Sequence, residues 1–268
     1  MALLEGDTGL VTGAASGIGR GIATALAAEG VRLVLTDVAE ESVAALAREL
    51  NASFIPADLN EPTAPRLLFE AAMKALGSVS IFVHSASPRR FENETALGVT
   101  EAQWDLMTSV GLRAGFVLGQ AAGAHMKARN IKGRLLFITS LHAETPRNLP
   151  HYSATKAGQT MVVKELARAL GADGIRVNAI APGAIPGGGF DANIAAFAEM
   201  IPLGRPGTPE DIADMAIALL CDRFSRYVTG VTVVVDGGRR STTGYRFAPS
   251  HNPSLRGSGY KDLAHRRQ

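Results

Sequence analysis

Short runs rich in Val, Ile, Leu and Phe alternate with longer amphipathic stretches along most of the chain, and this alternation restricts the fold more than any other feature. The apolar runs fall at 9–12, 31–36, 52–57, 79–84, 134–139, 176–180 and 229–235. Helical spacing follows the first run, through Ile18, Ile22, Ala23, Leu26 and Ala27, and returns over 40–50, 65–76, 101–127, 152–170 and 210–220. Strands that are apolar on both faces must be covered on both faces, and the intervening helices supply the cover. The expectation is an α/β, three-layer, doubly wound parallel sheet with helices on both faces.

At 268 residues and 46% hydrophobic content the chain can fill one sizeable core. No Pro/Gly/Ser-rich linker divides it, so residues 1–238 read as a single domain. Pro186-Gly187-Gly188-Gly189 makes regular structure costly and marks 184–203 as a candidate substrate lid carrying a short helix over 194–200. The lone Cys221 removes the disulfide-rich secreted class. Without a membrane-length apolar run or a secretory signal, a soluble cytoplasmic protein is expected, with no membrane partner. The net charge of +2 hides an asymmetry, since 239–268 carries +6 and 1–238 carries −4. This basic extension has few aromatics and no accompanying recognition motif, so no nucleic-acid partner is expected. It is expected to pack across a subunit boundary.

Gly13, Ser16, Gly17, Ile18 and Gly19 sit between the first strand and first helix, where a tight turn brings backbone and a helix N-terminus toward a pyrophosphate. A purely structural strand-to-helix turn selects glycine too. Asp37, closing the second strand, suits the two ribose hydroxyls of NAD and would repel a 2′-phosphate, which points to NAD as cofactor. Asp58, after the third strand, is either an adenine acceptor or an ordinary helix cap. Tyr152 and Lys156 are four residues apart and share a helix face, where an ammonium lowers the phenol's pKa for acid–base work on an alcohol or ketone. Ser140 stands at the end of the fifth strand, where its hydroxyl can hold the substrate oxygen.

TGAASGIG at 12–19, Asp37, Asp58-Leu59, Ser140, YSATK at 152–156, IRVNAIAPG at 175–183 and Asp236-Gly237-Gly238 occur in an order and spacing that resemble the classical short-chain dehydrogenase/reductase family. The segment from Ser140 to Tyr152 is most similar to sugar dehydrogenases of the glucose-dehydrogenase type. The resemblance implies a Rossmann sheet, an NAD-dependent interconversion of a secondary alcohol and a ketone, a sugar or polyol substrate, and a homotetramer built on the 101–127 and 152–170 helices. It implies Tyr152 as general acid/base, Lys156 as its activator and a ribose ligand, and Ser140 as the group orienting the substrate oxygen. Leu59, Ala86, Pro182, Gly183 and Ile185 are the further cofactor contacts it implies, and no metal is expected.

Three positions depart from the family pattern. Gly111 replaces an asparagine that holds a relay water, His84-Ser85-Ala86-Ser87 replaces Asn-Asn-Ala-Gly, and Ala184 replaces a threonine. A non-catalytic NAD-binding regulatory or interaction protein is the rival reading these changes suggest. His84 is either part of a substitute relay or a satisfied strand-end histidine. His142, Glu144 and His151 are either sugar-hydroxyl ligands or solvated loop groups. Arg89 and Arg90 either attract an anionic substrate or form an exposed pair.

Overall fold

The computed structural model describes residues 2–90, 94–186 and 198–242. Its seven strands are β1 (Thr8–Thr12), β2 (Arg32–Thr36), β3 (Ser53–Phe54), β4 (Ile81–His84), β5 (Arg134–Ile138), β6 (Arg176–Pro182) and β7 (Thr232–Val235). They form one parallel sheet in the order β3-β2-β1-β4-β5-β6-β7. The helices are α1 (Gly17–Ala28), α2 (Glu40–Glu49), α3 (Ala64–Leu76), α4 (Glu101–Met107), α5 (Ala114–Ala128), α6 (Pro150–Leu170), α7 (Pro209–Leu220) and the short α8 (Asp222–Ser225).

Successive strand residues point to opposite faces, and the two faces bury separate apolar sets. Val11, Ile81, Val83, Leu136 and Ile138 pack with α1, α2 and α7 through Ile22, Leu46 and Ile212. Leu10, Phe82, Leu135, Phe137 and Val177 pack with α3, α5 and α6 through Leu68, Leu118 and Val163. The three-layer expectation is therefore met. The chain winds outward from β1 to β3 and then returns to place β4 on the other side of β1. That reversal opens a crevice beyond the carboxyl ends of β1 and β4, the usual ligand position in such sheets.

Three local expectations need correction. The run 52–57 yields only two strand residues, because the edge position and Pro56 end regular pairing, although Ile55 N–H still donates to Leu35 (3.0 Å). The 101–127 helix is not continuous. A π-helical segment, Thr108–Arg113, separates α4 from α5, and Ala114 N–H reaches back five residues to the Ser109 carbonyl. The last strand begins at Thr232 rather than at 229. Residues 194–197 of the expected helix at 194–200 and nearly all of the basic extension lie outside the described residues. Among the described residues no helix is long and apolar enough to cross a membrane.

Candidate active site

The first half of the site is built by the β1-to-α1 turn. Gly13 and Gly17 have φ of +68° and +52°, conformations a side chain would strain. A Cβ at Gly19 would lie 1.9 Å from the Gly13 carbonyl oxygen, so the turn closes only around hydrogen. Ser16 is the N-cap of α1, and its side chain makes no capping bond, which leaves first-turn amides to meet an anion. Asp37 is held just past β2: one carboxylate oxygen accepts Ala15 N–H (3.0 Å) and the other Ala39 N–H (3.1 Å). Each oxygen keeps a further lone pair for a hydroxyl donor.

Gly13, Ser16, Gly17, Ile18, Gly19 and Asp37 line a cleft of about 560 Å³. Ser140, Tyr152, Lys156, Pro182, Gly183 and Ile185 line the same cleft. Asp58, Leu59 and Ala86 line an adjoining recess of about 290 Å³ that shares Gly13 and Asp37, with Leu106 and Val110 completing its apolar side. All fifteen residues assigned to the catalytic and cofactor sites in the sequence thus line this cleft or its adjoining recess. Its length, an anion-receptive helix end, a strand-end carboxylate and an apolar recess fit a dinucleotide.

The chemical half hangs from β5 and α6. Ser140 follows β5, opens a 3-10 turn and accepts His142 N–H at 3.2 Å through its hydroxyl oxygen. Pro150 starts α6 at a position that needs no amide donor, which sets Tyr152 and Lys156 in its first two turns. Lys156 is 2% exposed, and its Nζ donates to the Ile138 carbonyl at 2.8 Å while lying 5.5 Å from the Tyr152 ring centroid. Burial, aided by the charge of Arg90, lowers the Lys156 pKa to about 7. The sequence places an ammonium here; burial makes it a group whose charge is lost near neutrality.

This depression has a consequence for stability. Between pH 7 and 10.5 the unfolded chain binds the Lys156 proton that the folded chain releases, so this residue makes stability rise with pH across that window. The cofactor-free protein is expected to gain Tm from pH 7 to pH 9, and Lys156→Met to lose most of the gain. An unchanged pH dependence in the variant, followed by circular dichroism, would contradict the assignment.

His84 resolves into a structural role. It is fully buried, with Nε2 at 2.9 Å from the Gly111 carbonyl and Nδ1 at 3.0 Å from Thr12 Oγ1. A carbonyl only accepts, so Nε2 carries the hydrogen and Nδ1 accepts from the threonine hydroxyl. Thr12 Oγ1 in turn accepts the N–H groups of Ser85 (3.2 Å) and Ala86 (3.3 Å). Burial and the neighbouring Lys156 lower the His84 pKa to about 4, so it stays neutral rather than relaying protons. Gln159 Nε2 donates to the same Gly111 carbonyl at 2.8 Å. The His84 imidazole therefore ties the nucleotide turn to the π segment that replaces a regular helix. His84→Ala is expected to cost about 2–4 kcal/mol by urea unfolding, from a cavity and two lost hydrogen bonds. A loss below about 1 kcal/mol would deny the clamp.

Other residues separate into two groups. His151 is 1% exposed and its Nε2 meets Glu94 Oε2 at 3.2 Å, while Glu94 Oε1 accepts from Gln103 Nε2 at 3.1 Å. It supports the start of α6 from inside, which corrects the reading of His151 as a group at the substrate mouth. Glu144 is paired with Arg240 at 2.5 Å. His142 packs edge-on against the Tyr152 ring at 5.1 Å, and the Arg90 guanidinium carbon lies 4.3 Å from the same ring's centroid. Glu94, Gln159 and Leu106 carried no motif and were not singled out in the sequence; only the folded loops and the π segment reveal them.

Comparison with known proteins gives a consistent picture. Residues 13–240 match the family model described as enoyl-(acyl carrier protein) reductase. L-rhamnose-1-dehydrogenase of Scheffersomyces stipitis is 34% identical over 88% of this chain and 96% of its own. The 3beta-hydroxysteroid dehydrogenase 1 of Eggerthella lenta is 34% identical over 91% and 97%. Among solved structures, 3-ketoacyl-(acyl-carrier-protein) reductase from Brucella melitensis complexed with NADH superimposes with a TM-score of 0.83, at 32% identity over 88% of this chain and 99% of that one. A blue fluorescent protein from a metagenomic library in complex with NADPH gives 0.81, at 32% identity over 88% and 98%.

Proposed function

Because the chain belongs to the classical short-chain dehydrogenase/reductase family, we propose that this oxidoreductase uses NAD(H) to interconvert a secondary alcohol and a ketone, with a sugar or polyol as substrate class. One observation carries the reading: Ser140, Tyr152 and Lys156 line the same cleft as the glycine turn and Asp37. The retained triad favours an enzyme over the non-catalytic alternative. NADH and NADPH both occur in similar structures, and the Asp37 carboxylate supports NAD here through hydroxyl acceptance and repulsion of a 2′-phosphate. The L-rhamnose relative and the likeness around Ser140 support the sugar class.

In this reading the first-turn amides of α1 and the Gly13–Gly19 turn bind the pyrophosphate, Asp37 the adenosine ribose, and Asp58, Leu59 and Ala86 the adenine side. Pro182, Gly183 and Ile185 flank the nicotinamide, which when bound gives or takes the hydride. Ser140 Oγ orients the substrate oxygen. Tyr152 Oη takes the hydroxyl proton in oxidation and returns it in reduction. Lys156, when protonated, stabilises the phenolate and supports the nearby ribose.

Residues 1–238 act in this proposal as one NAD-binding catalytic domain. Exposed Phe116 on α5 and Met161 on α6 line a shallow groove and support the helix-to-helix homotetramer. A buried free Cys221 agrees with a cytoplasmic setting. A cofactor-coupled screen of sugars, polyols and hydroxy acids, run in both directions, tests the activity. Turnover of at least one secondary alcohol or its ketone is expected; none across the panel would overturn the proposal.

A further inference from the structure

We propose that Arg113, the last residue of the π segment, is a positioning residue for the adenosine half of the cofactor, because it clamps the loop after β3 that walls the adenine recess. The inference rests on the reading of the cleft as a dinucleotide site and deepens it. β3 pairs with β2 through Ser53 and Phe54 alone, so the sheet gives the chain beyond it little support. The next main-chain bonds toward β2 are Ile55 N–H to the Leu35 carbonyl (3.0 Å) and Ala57 N–H to the Asp37 carbonyl, at a long 3.4 Å. Asp58 and Leu59 then line the recess, and Leu59 seats its side chain in the core. The turn that follows is local: Asn60 N–H donates to Asp58 Oδ1 (2.9 Å) and Glu61 N–H to the Asp58 carbonyl (3.1 Å). Such bonds fold the loop on itself without fastening it to the domain.

Arg113 fastens it. Its Nη1 donates to the Pro62 carbonyl at 3.1 Å, and its Nη2 to the Asn60 carbonyl at 3.0 Å and, more distantly, to the Leu59 carbonyl at 3.5 Å. A guanidinium is planar and permanently charged, and its forked donors let one side chain gather several carbonyls of a tight loop. The segment that carries it is itself pinned, since the Gly111 carbonyl accepts from His84 Nε2 (2.9 Å) and Gln159 Nε2 (2.8 Å). Val110 of that segment lines the recess opposite Asp58 and Leu59. Arg113, which does not line the recess, thus ties its helical wall to its loop wall. Ordering a loop costs conformational entropy. With the clamp in place that cost is met on folding; without it the cofactor must meet it on binding, and affinity falls. The nicotinamide end, between Tyr152 and Pro182-Gly183, is built by other elements and should not register the change.

The full-length Arg113→Met protein tests this with two probes, NADH followed by fluorescence and ADP-ribose followed by calorimetry. Both are expected to bind about tenfold more weakly than to the wild type, while the fluorescence of bound NADH at saturation stays at the wild-type level. In the cofactor-free variant the amides of Asn60 and Glu61 should exchange with solvent about tenfold faster, with those of β5 and α6 unchanged. Arg113→Lys keeps the charge but not the fork, which separates the clamp from a general attraction for the pyrophosphate; it should show the same changes at about threefold, and it carries the test if the methionine variant fails to fold. With any substrate that the wild type turns over, KM for NAD should rise while kcat changes less than about twofold. Affinities unchanged in both variants, an altered fluorescence of bound NADH, or weaker binding without faster exchange overturns the inference. The expected losses of binding, found in a protein that turns over no alcohol or ketone, keep it and remove the oxidoreductase reading. Failure of the wild type to bind either probe overturns both.

Discussion

Tyr152→Phe is expected to lower kcat by about a thousandfold while changing the NADH dissociation constant less than about threefold. The substitution removes one oxygen and keeps the ring that carries the contacts to Arg90, His142 and Lys156. Cofactor affinity comes chiefly from elsewhere, from the α1 turn and Asp37, so binding and chemistry should separate in this variant. Stopped-flow or steady-state absorbance of the reduced cofactor gives kcat, and fluorescence titration gives binding. A variant retaining a tenth or more of wild-type turnover would remove the phenol from the proton-transfer step. A variant that failed to bind NADH would instead show that the ring oxygen holds the cofactor.

Wild-type enzyme is expected to prefer NAD over NADP by about a hundredfold or more in kcat/KM, and Asp37→Ser to erase most of that preference. The carboxylate contributes to the difference twice. Hydrogen bonds from hydroxyls to a charged acceptor are worth about 1.5–3 kcal/mol each, so losing one of those made by NAD weakens it by about one to two orders of magnitude. Removing the charge also relieves repulsion of a 2′-phosphate. The backbone N–H groups of Ala15 and Ala39 hold the carboxylate in place, one on each oxygen, and a serine at this position offers a single uncharged oxygen instead. The preference should therefore fall through a weaker NAD complex as well as a better NADP complex. Equal use of the two cofactors by the wild type would refute the role given to Asp37.

The sheet was legible in the sequence because its physics is repetitive. Apolar runs of strand length between amphipathic helices leave few arrangements open, and Val11, Phe82 and Phe137 lie in the layers their alternation demands. The glycine turn, Asp37, Ser140, Tyr152 and Lys156 were legible because each sits at a fixed end of an element, where the fold dictates its direction. The π segment was not. Its local sequence, TSVGLR, continues a helical pattern, and the determinant is tertiary: the Gly111 carbonyl is taken by His84 and Gln159. The Glu94–His151 pair and the stacking of Arg90 on Tyr152 were equally hidden, since loop paths bring together side chains that no spacing rule connects. The charge state of Lys156 depended on burial, which the residue type alone does not reveal.

His84 and Gly115 fit as lock and key. A Cβ at Gly115 would lie 2.7 Å from His84 Cδ2, inside the imidazole's own volume. The helix carries no side chain where the strand end carries a large one, so the two positions are coupled. An asparagine at position 84 alone would leave a hollow beside α5, and Gly115→Ala alone would push the ring off both Thr12 and Gly111. An engineer seeking to rebuild this centre would have to treat it as one indivisible part.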